Sequence, residues 1–359
     1  MKLLLAPMDA ITHQAFRNLV GRFGGCDEYF NEMINASSLL NNGPWEKFYL
    51  LEGPEPEKLV WQLTDKNGEK MAQAASVLAE RGGIGVDLNM GCSAPQIANT
   101  GAGIAWMTKP ISETQAMVHG VKSALENAAK DGRPAKRLSV KLRLGDQDFT
   151  LEKFFEFTDM LVGEGVQMLT LHPRTKKEKY RERARWQFVE ELALRYPQIP
   201  VNLNGDVKDG ASFEEAQKAA PHANGIMIAR AAVQKPWIFA QLSGLACEPI
   251  NSEQLALDFI DYVEQCQPPE FWKTRLQRFF AYYCLNFSFG HYFQTQMINS
   301  KDNDDARARV KEYFSKCPVS HGPIKPVKVN YKMEDLLAKG WMTAEQLLNM
   351  IREKCKEDK

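Results

Sequence analysis

The sequence predicts a (β/α)8 TIM barrel followed by a smaller all-α domain. Three observations predict it. Eight short β-rich runs alternate with amphipathic segments across residues 1–243, the order a closed parallel barrel requires. No G-x-G-x-x-G follows the first run, which speaks against an open doubly wound sheet. Beyond residue 243 the strand-like runs stop and helical periodicity with aromatic faces takes over.

The β-rich runs are LLLAP (3–7), DEYFNEM (27–33), KLVWQL (58–63), IGVDLNM (84–90), LSVKLRL (138–144), QMLTLHP (167–173), IPVNLNG (199–205) and NGIMIAR (224–230). Most are short runs of mainly apolar or β-branched character, near Gly, Pro, Asn or Asp. Helical patterns fill the gaps at 13–23, 69–82, 111–130, 150–165 and 212–220. Ser112 and Thr150 read as first-turn residues, with Glu113 and Glu152 favouring the positive end of the helix dipole. Gly82, Gly83, Gly163 and Gly165 read as helix stops. The domain 244–359 holds helices at 252–266, 271–287 and 305–317, a Pro/Gly break at 317–328, and a last helix near 344–355.

Composition bounds the function without choosing it. Lys plus Arg and Asp plus Glu both number 45, so a nucleic-acid partner would have to act through a local patch. Seven Cys, widely spaced and without a CxxC pair, argue against a disulfide framework and a zinc site. The start MKLLLAPMDA is too short for a signal-peptide core, and no apolar run approaches a membrane span. A cytoplasmic monomer with no metal and no membrane contact is expected.

In this fold the active site lies at the C-terminal ends of the strands. Those ends carry Pro7 and Met8, Gln62, Asn89 with Cys92 beyond it, Lys141 and Arg143, His172 with Arg174 beyond it, Asn204-Gly205-Asp206, and Ala229-Arg230. Lys141 stands between apolar Val140 and Leu142, so it should point into the barrel and up towards an anionic or electron-rich ligand. The seventh and eighth strand ends form the usual phosphate site of the fold, where Gly205 would allow close backbone approach and Arg230 a bidentate grip.

The motifs LAPM (5–8), VDLNMGC (86–92), GAG (101–103), SVKLRLG (139–145), LHPRT (171–175), NGD (204–206), IMIAR (226–230) and RLQRFFAYY (275–283) occur in this order over nearly the whole chain. In this set the chain resembles the FMN-dependent tRNA-dihydrouridine synthases. The resemblance implies NADPH-driven reduction of the uridine C5–C6 bond in tRNA, with hydride from flavin N5 to C6 and a proton from Cys92 to C5. It implies FMN contacts from Pro7, Met8, Gln62, Lys141, His172, Asn204, Asp206 and Arg230, to which the strand-end positions add Gly205 and Ala229. Asn89 matches a substrate- or flavin-proximal amide. Arg143 is taken as a further substrate contact at the mouth.

A thiol suits the acid's task, being compact and near-neutral, and Cys92 should rest protonated. The basic stretch 174–185, with Arg174 and Tyr180, would clamp the RNA around an extruded base, and Arg275 and Arg278 would touch RNA from the helical domain. The neighbouring aromatics 279, 280, 282 and 283 should be core. Two departures stand out. Ser93-Ala94-Pro95 follows Cys92 where the family places Pro directly, and Ala229-Arg230-Ala231 replaces Gly-Arg-Gly. The rival readings are a flavin barrel acting on a free pyrimidine, similar to dihydroorotate dehydrogenases, and an inactive RNA-binding barrel.

Overall fold

A computed structural model describes residues 1–53, 55–129, 134–146, 149–245 and 249–317. Eight parallel strands run β1 Lys2–Leu5, β2 Glu28–Phe30, β3 Leu59–Thr64, β4 Gly85–Met90, β5 Arg137–Leu142, β6 Met168–Leu171, β7 Val201–Asn204 and β8 Gly225–Ile228. Each pairs with the next, and β8 pairs with β1 in register Met227↔Leu4, so the barrel closes. A two-residue strand, Ile34–Asn35, extends β3 near its C-terminal end, and Asn35 caps the helix Ala36–Leu40 by accepting from the Ser38 amide.

Strand alternation divides the barrel. Val86, Leu88 and Met90 on β4, and Leu138, Val140 and Leu142 on β5, join the large cluster packed against the helices. The intervening positions therefore face the barrel axis. Low in the barrel these are apolar: Leu4, Ala6, Phe30, Val60, Met168 and Met227 form their own cluster. Above it the interior turns polar, with Gln62, Asp87, Asn89, Ser139, Lys141, Thr170, Asn202 and Asn204. At the base Arg137 reaches the buried Glu28 carboxylate with both η nitrogens, at 3.0 and 2.5 Å, and Lys2 adds a third contact at 3.0 Å.

Helices lie where the periodicity places them, at Gln14–Gly21, Gly68–Ala79, Ile111–Asn127, Leu151–Gly163 and Gly210–Ala219. Thr150 caps its helix, accepting from the Lys153 amide at 3.2 Å. Ser112 does not cap. The helix already begins at Ile111 behind Pro110, whose fixed φ sets the entry. The helix Gln187–Arg195 and the short helices Arg230–Gln234 and Ile238–Ser243 have no counterpart in the sequence reading.

The C-terminal region is helical: Ser252–Cys266, Pro269–Tyr283, Gly290–Ile298 and Asn303–Lys316. Of the four aromatics expected in the core, Phe279, Phe280 and Tyr283 are buried and Tyr282 is partly exposed. Phe279 stacks on Phe259 at 3.8 Å between centroids. Phe259 in turn meets Phe16 edge-on, so this region packs on the barrel's first helix. The helix expected near 344–355 lies outside the described residues. No helix among the described residues is long and apolar enough to cross a membrane.

Candidate active site

The loops above the strands build one polar mouth. Cys92 stands two residues past β4, and its backbone is fastened on both sides. Its amide donates to Asn89 Oδ1 at 2.9 Å, and its carbonyl accepts from the Ile104 amide at 3.0 Å. Gly103 explains the GAG motif. It has φ +60°, and a Cβ there would stand 2.6 Å from the Cys92 carbonyl oxygen. Ser93-Ala94-Pro95 also has a local meaning. Pro95 opens the helix Pro95–Ala98 at its first position, where proline is favoured. Burial raises the Cys92 thiol above its usual range, so the proton stays on sulfur near neutral pH.

Lys141 faces the interior as its sequence position implies. Among the described residues its ammonium has no recorded hydrogen bond or ion pair. Burial first, and then the Arg143 charge, bring it down to about 8, against the pull of Asp87 and Cys92. A half-buried cation without a close partner is costly unless a ligand completes it. Burial likewise raises Asp87, to about 6, although Gln62 and Ser139 donate to it.

His172, just past β6, is held neutral by burial and by the charges of Arg143, Lys141, Arg174 and Arg230. Its Nε2 lies 2.9 Å from Arg174 Nη1. A guanidinium only donates, so Nε2 accepts and the ring proton sits on Nδ1. Gly205, with φ +119°, leaves room for this ring: a Cβ would meet His172 Cδ2 at 2.8 Å. The close approach that demands glycine here is thus the imidazole's.

Arg174 and Asp206 depart from expectation. Arg174 is buried, donates Nη2 to both Asp206 oxygens at 2.7 and 2.6 Å, and donates Nε to the Glu182 carbonyl at 2.6 Å. Asp206 also accepts from the Ala184 amide at 2.7 Å. Together they pin the 174–186 loop rather than meeting solvent. The outward cations of that loop are Lys177, Lys179, Arg181 and Arg183, the last within 3.7 Å of Glu215, whereas Lys176 pairs with Asp146 and Arg185 with Glu178.

Arg143 is buried, donates Nε to the Gly91 carbonyl at 3.0 Å, and so braces the Cys92 loop. Tyr180, 61% exposed, covers this corner, its ring 5.5 Å from the Arg143 guanidinium, 4.7 Å from that of Arg230 and 5.9 Å from His172. Arg230 is half-exposed and within 3.9 Å of Asp206. Ala229 has φ −110°, outside the left-handed region that favours glycine. Asn204 donates Nδ2 to the Met227 carbonyl at 2.8 Å. Met8 and Pro7 are partly exposed on the loop after β1.

Gln62 is fully buried between Asp87 and Asn89. Arg275 is buried too and bonded to Glu32, so it offers no face to RNA. Arg278 on the same helix is exposed. Asp87 and Glu32 were not singled out in the sequence. Asp87 had one signal, a carboxylate within the otherwise mainly apolar run 84–90, whereas Glu32 was one of several polar residues in the run 27–33.

The mouth therefore combines a protonated thiol, a free ammonium, a neutral imidazole and an accessible guanidinium. That set suits an electron-rich ring carrying a phosphate, with a proton donor at its edge.

A family model described as dihydrouridine synthase matches residues 4–313. A probable tRNA-dihydrouridine synthase of Aquifex aeolicus is 33% identical over 67% of this chain and 72% of its own. Probable tRNA-dihydrouridine synthase 2 of Bacillus subtilis is 28% identical over 87% of this chain and 94% of its own. A tRNA-dihydrouridine(47) synthase-like protein of Homo sapiens is 30% identical over 73% of this chain, a match that spans 39% of that longer protein.

Proposed function

The chain belongs to the dihydrouridine synthase family, and from that premise we propose that it reduces the C5–C6 bond of specific uridines in tRNA, with electrons from NADPH passed through bound FMN. It is an enzyme, a flavin-dependent oxidoreductase. One observation carries the finer reading: the unpartnered Lys141 ammonium faces the same mouth as the protonated Cys92 thiol.

The residues fit FMN. Lys141 supplies a cation for the electron-rich side of the ring system, and the Nδ1–H of His172 supplies a polar edge, whereas Gln62, enclosed by Asp87 and Asn89, acts on the mouth through Asn89 rather than by direct contact. Arg230, half-exposed at the start of its helix, suits the phosphate, with Asn204, Gly205 and Ala229 lining that end. Asp206 acts there through Arg174, because a carboxylate and a phosphate repel. Pro7 and Met8 wall the first strand's side.

FMN held by these residues would supply hydride chemistry for uracil C6. Cys92 gives its proton to C5, and its raised affinity for that proton keeps the thiol ready. Asn89 and Arg143 hold the loop that carries it. Because the mouth is recessed, the uridine must leave the RNA stack to reach it. The exposed cations 177, 179, 181 and 183, with Tyr180 and Arg278, are the surface that would take the surrounding phosphates. On this reading residues 1–243 are the catalytic barrel and 244–359 the tRNA-binding domain.

The test is substrate choice. Purified protein with FMN and NADPH is given unmodified tRNA or a free pyrimidine, and dihydrouracil is measured. Product from tRNA alone supports the proposal. Product from the free pyrimidine alone, or none from either, overturns it.

A further inference from the structure

The barrel interior contains a hydrogen-bond chain that ends on the Cys92 loop, and neither composition nor packing requires it. Ser139 Oγ donates to Asp87 Oδ1 at 2.7 Å, and Gln62 Nε2 donates to Asp87 Oδ2 at 2.7 Å. Asn89 Nδ2 donates to Gln62 Oε1 at 2.9 Å. The amides of Cys92 and Gly91 donate to Asn89 Oδ1 at 2.9 and 3.2 Å.

We propose that Asp87 is a positioning residue that orients Gln62, then Asn89, and through them the loop holding Cys92 beside the substrate. The inference rests on Cys92 being the acid of the proposed reaction. Side-chain amides can point either way, and here neither is free to. Backbone N–H groups only donate, which fixes Asn89 Oδ1 at one end. An ionised carboxylate only accepts, which fixes Gln62 Nε2 at the other. The two amides between them are left one arrangement.

The location supports the assignment. Asp87, Gln62 and Ser139 are fully buried. Barrel interiors ordinarily fill such positions with branched apolar side chains, and a buried carboxylate is costly. Asp87 is separated from Cys92 by both amides and delivers no proton to it. Its effect is geometric, and its negative charge also faces Lys141 across the β4–β5 pair.

The experiment follows Cys92 directly. FMN-loaded protein is alkylated with iodoacetamide, and the Cys92 peptide is quantified by mass spectrometry over time. In Asp87→Ala the loop is released, and alkylation should accelerate on the order of tenfold, the equivalent of one lost charge-assisted hydrogen bond. Dihydrouridine formation should fall by a similar factor, with NADPH oxidation in the absence of tRNA falling less.

Asp87→Asn can still accept from Gln62, so it should restore the wild-type alkylation rate. If Asp87→Ala does not fold, Gln62→Met cuts the same chain at its middle and should accelerate alkylation likewise. A wild-type alkylation rate in the cut chain, or an Asp87→Asn protein that behaves like Asp87→Ala, overturns the proposal. The acid reading fails separately: Cys92→Ala with full uridine reduction would sink it, while the alkylation rates still decide the positioning role.

Discussion

Arg275 donates both η nitrogens to the Glu32 carboxylate, at 2.8 and 2.9 Å, and neither side chain reaches solvent. Glu32 Oε2 also accepts from the Ala10 amide at 2.9 Å, and Ala10 holds φ +58°, which is uncommon for alanine. One carboxylate just past β2 thus ties the loop after β1 to a helix of the C-terminal region. The Arg275 guanidinium rests on Phe271 at 4.9 Å, which shields the pair further.

Removing one partner leaves a buried charge alone. Glu32→Ala or Arg275→Met should lower unfolding stability by about 3–5 kcal/mol. The double replacement Glu32→Leu with Arg275→Met should cost less than the two single changes summed. Urea unfolding followed by circular dichroism measures both, and strict additivity would contradict the pairing.

Much of this architecture was legible in the sequence, and the reasons are physical. Most of the strands announced themselves because parallel barrel strands are buried on both faces and read as short apolar runs, the polar run 27–33 being the exception. The polar residues breaking those runs, Gln62, Asn89 and Lys141, were visible for the same reason. Pairing between distant residues was not visible. The sequence placed Arg174 and Arg275 in basic stretches, and only the fold brings Asp206 and Glu32 to them. The helix Gly290–Ile298 was hidden for a local reason: it begins at a glycine behind Phe289, which holds φ +56°.

Cys92→Ala should keep its flavin and its NADPH oxidation yet lose dihydrouridine formation by about 10²–10⁴-fold, the usual worth of a positioned acid. Single-turnover reduction of tRNA by the pre-reduced variant isolates the step. A rate equal to wild type would remove Cys92 from the chemistry.

Lys141 sets a pH dependence on anion binding. Its ammonium loses its proton at about 8 in the ligand-free protein. An anionic ligand favours the charged form, so FMN binding is coupled to proton uptake above that pH. Affinity should be level below it and fall by at most about tenfold per pH unit above it. Lys141→Met should bind FMN more weakly, without this break. Fluorescence titration of the apoprotein over a pH series checks the slope.

Asp87 makes the opposite kind of contribution, to stability. Burial raises its folded pKa to about 6 from the model-peptide value of 3.8. The folded state therefore holds more protons than the unfolded chain between those values, and stability falls as pH rises through that window. Above it the full cost of the buried charge remains, at most about 3 kcal/mol from the size of the shift. Asp87→Asn removes the charge but keeps an acceptor for Gln62. It should unfold at a higher temperature than wild type near pH 7, with the gap closing near pH 4. Equal melting temperatures at both values would mean that burial does not raise the folded pKa of Asp87, and the buried charge would then cost nothing.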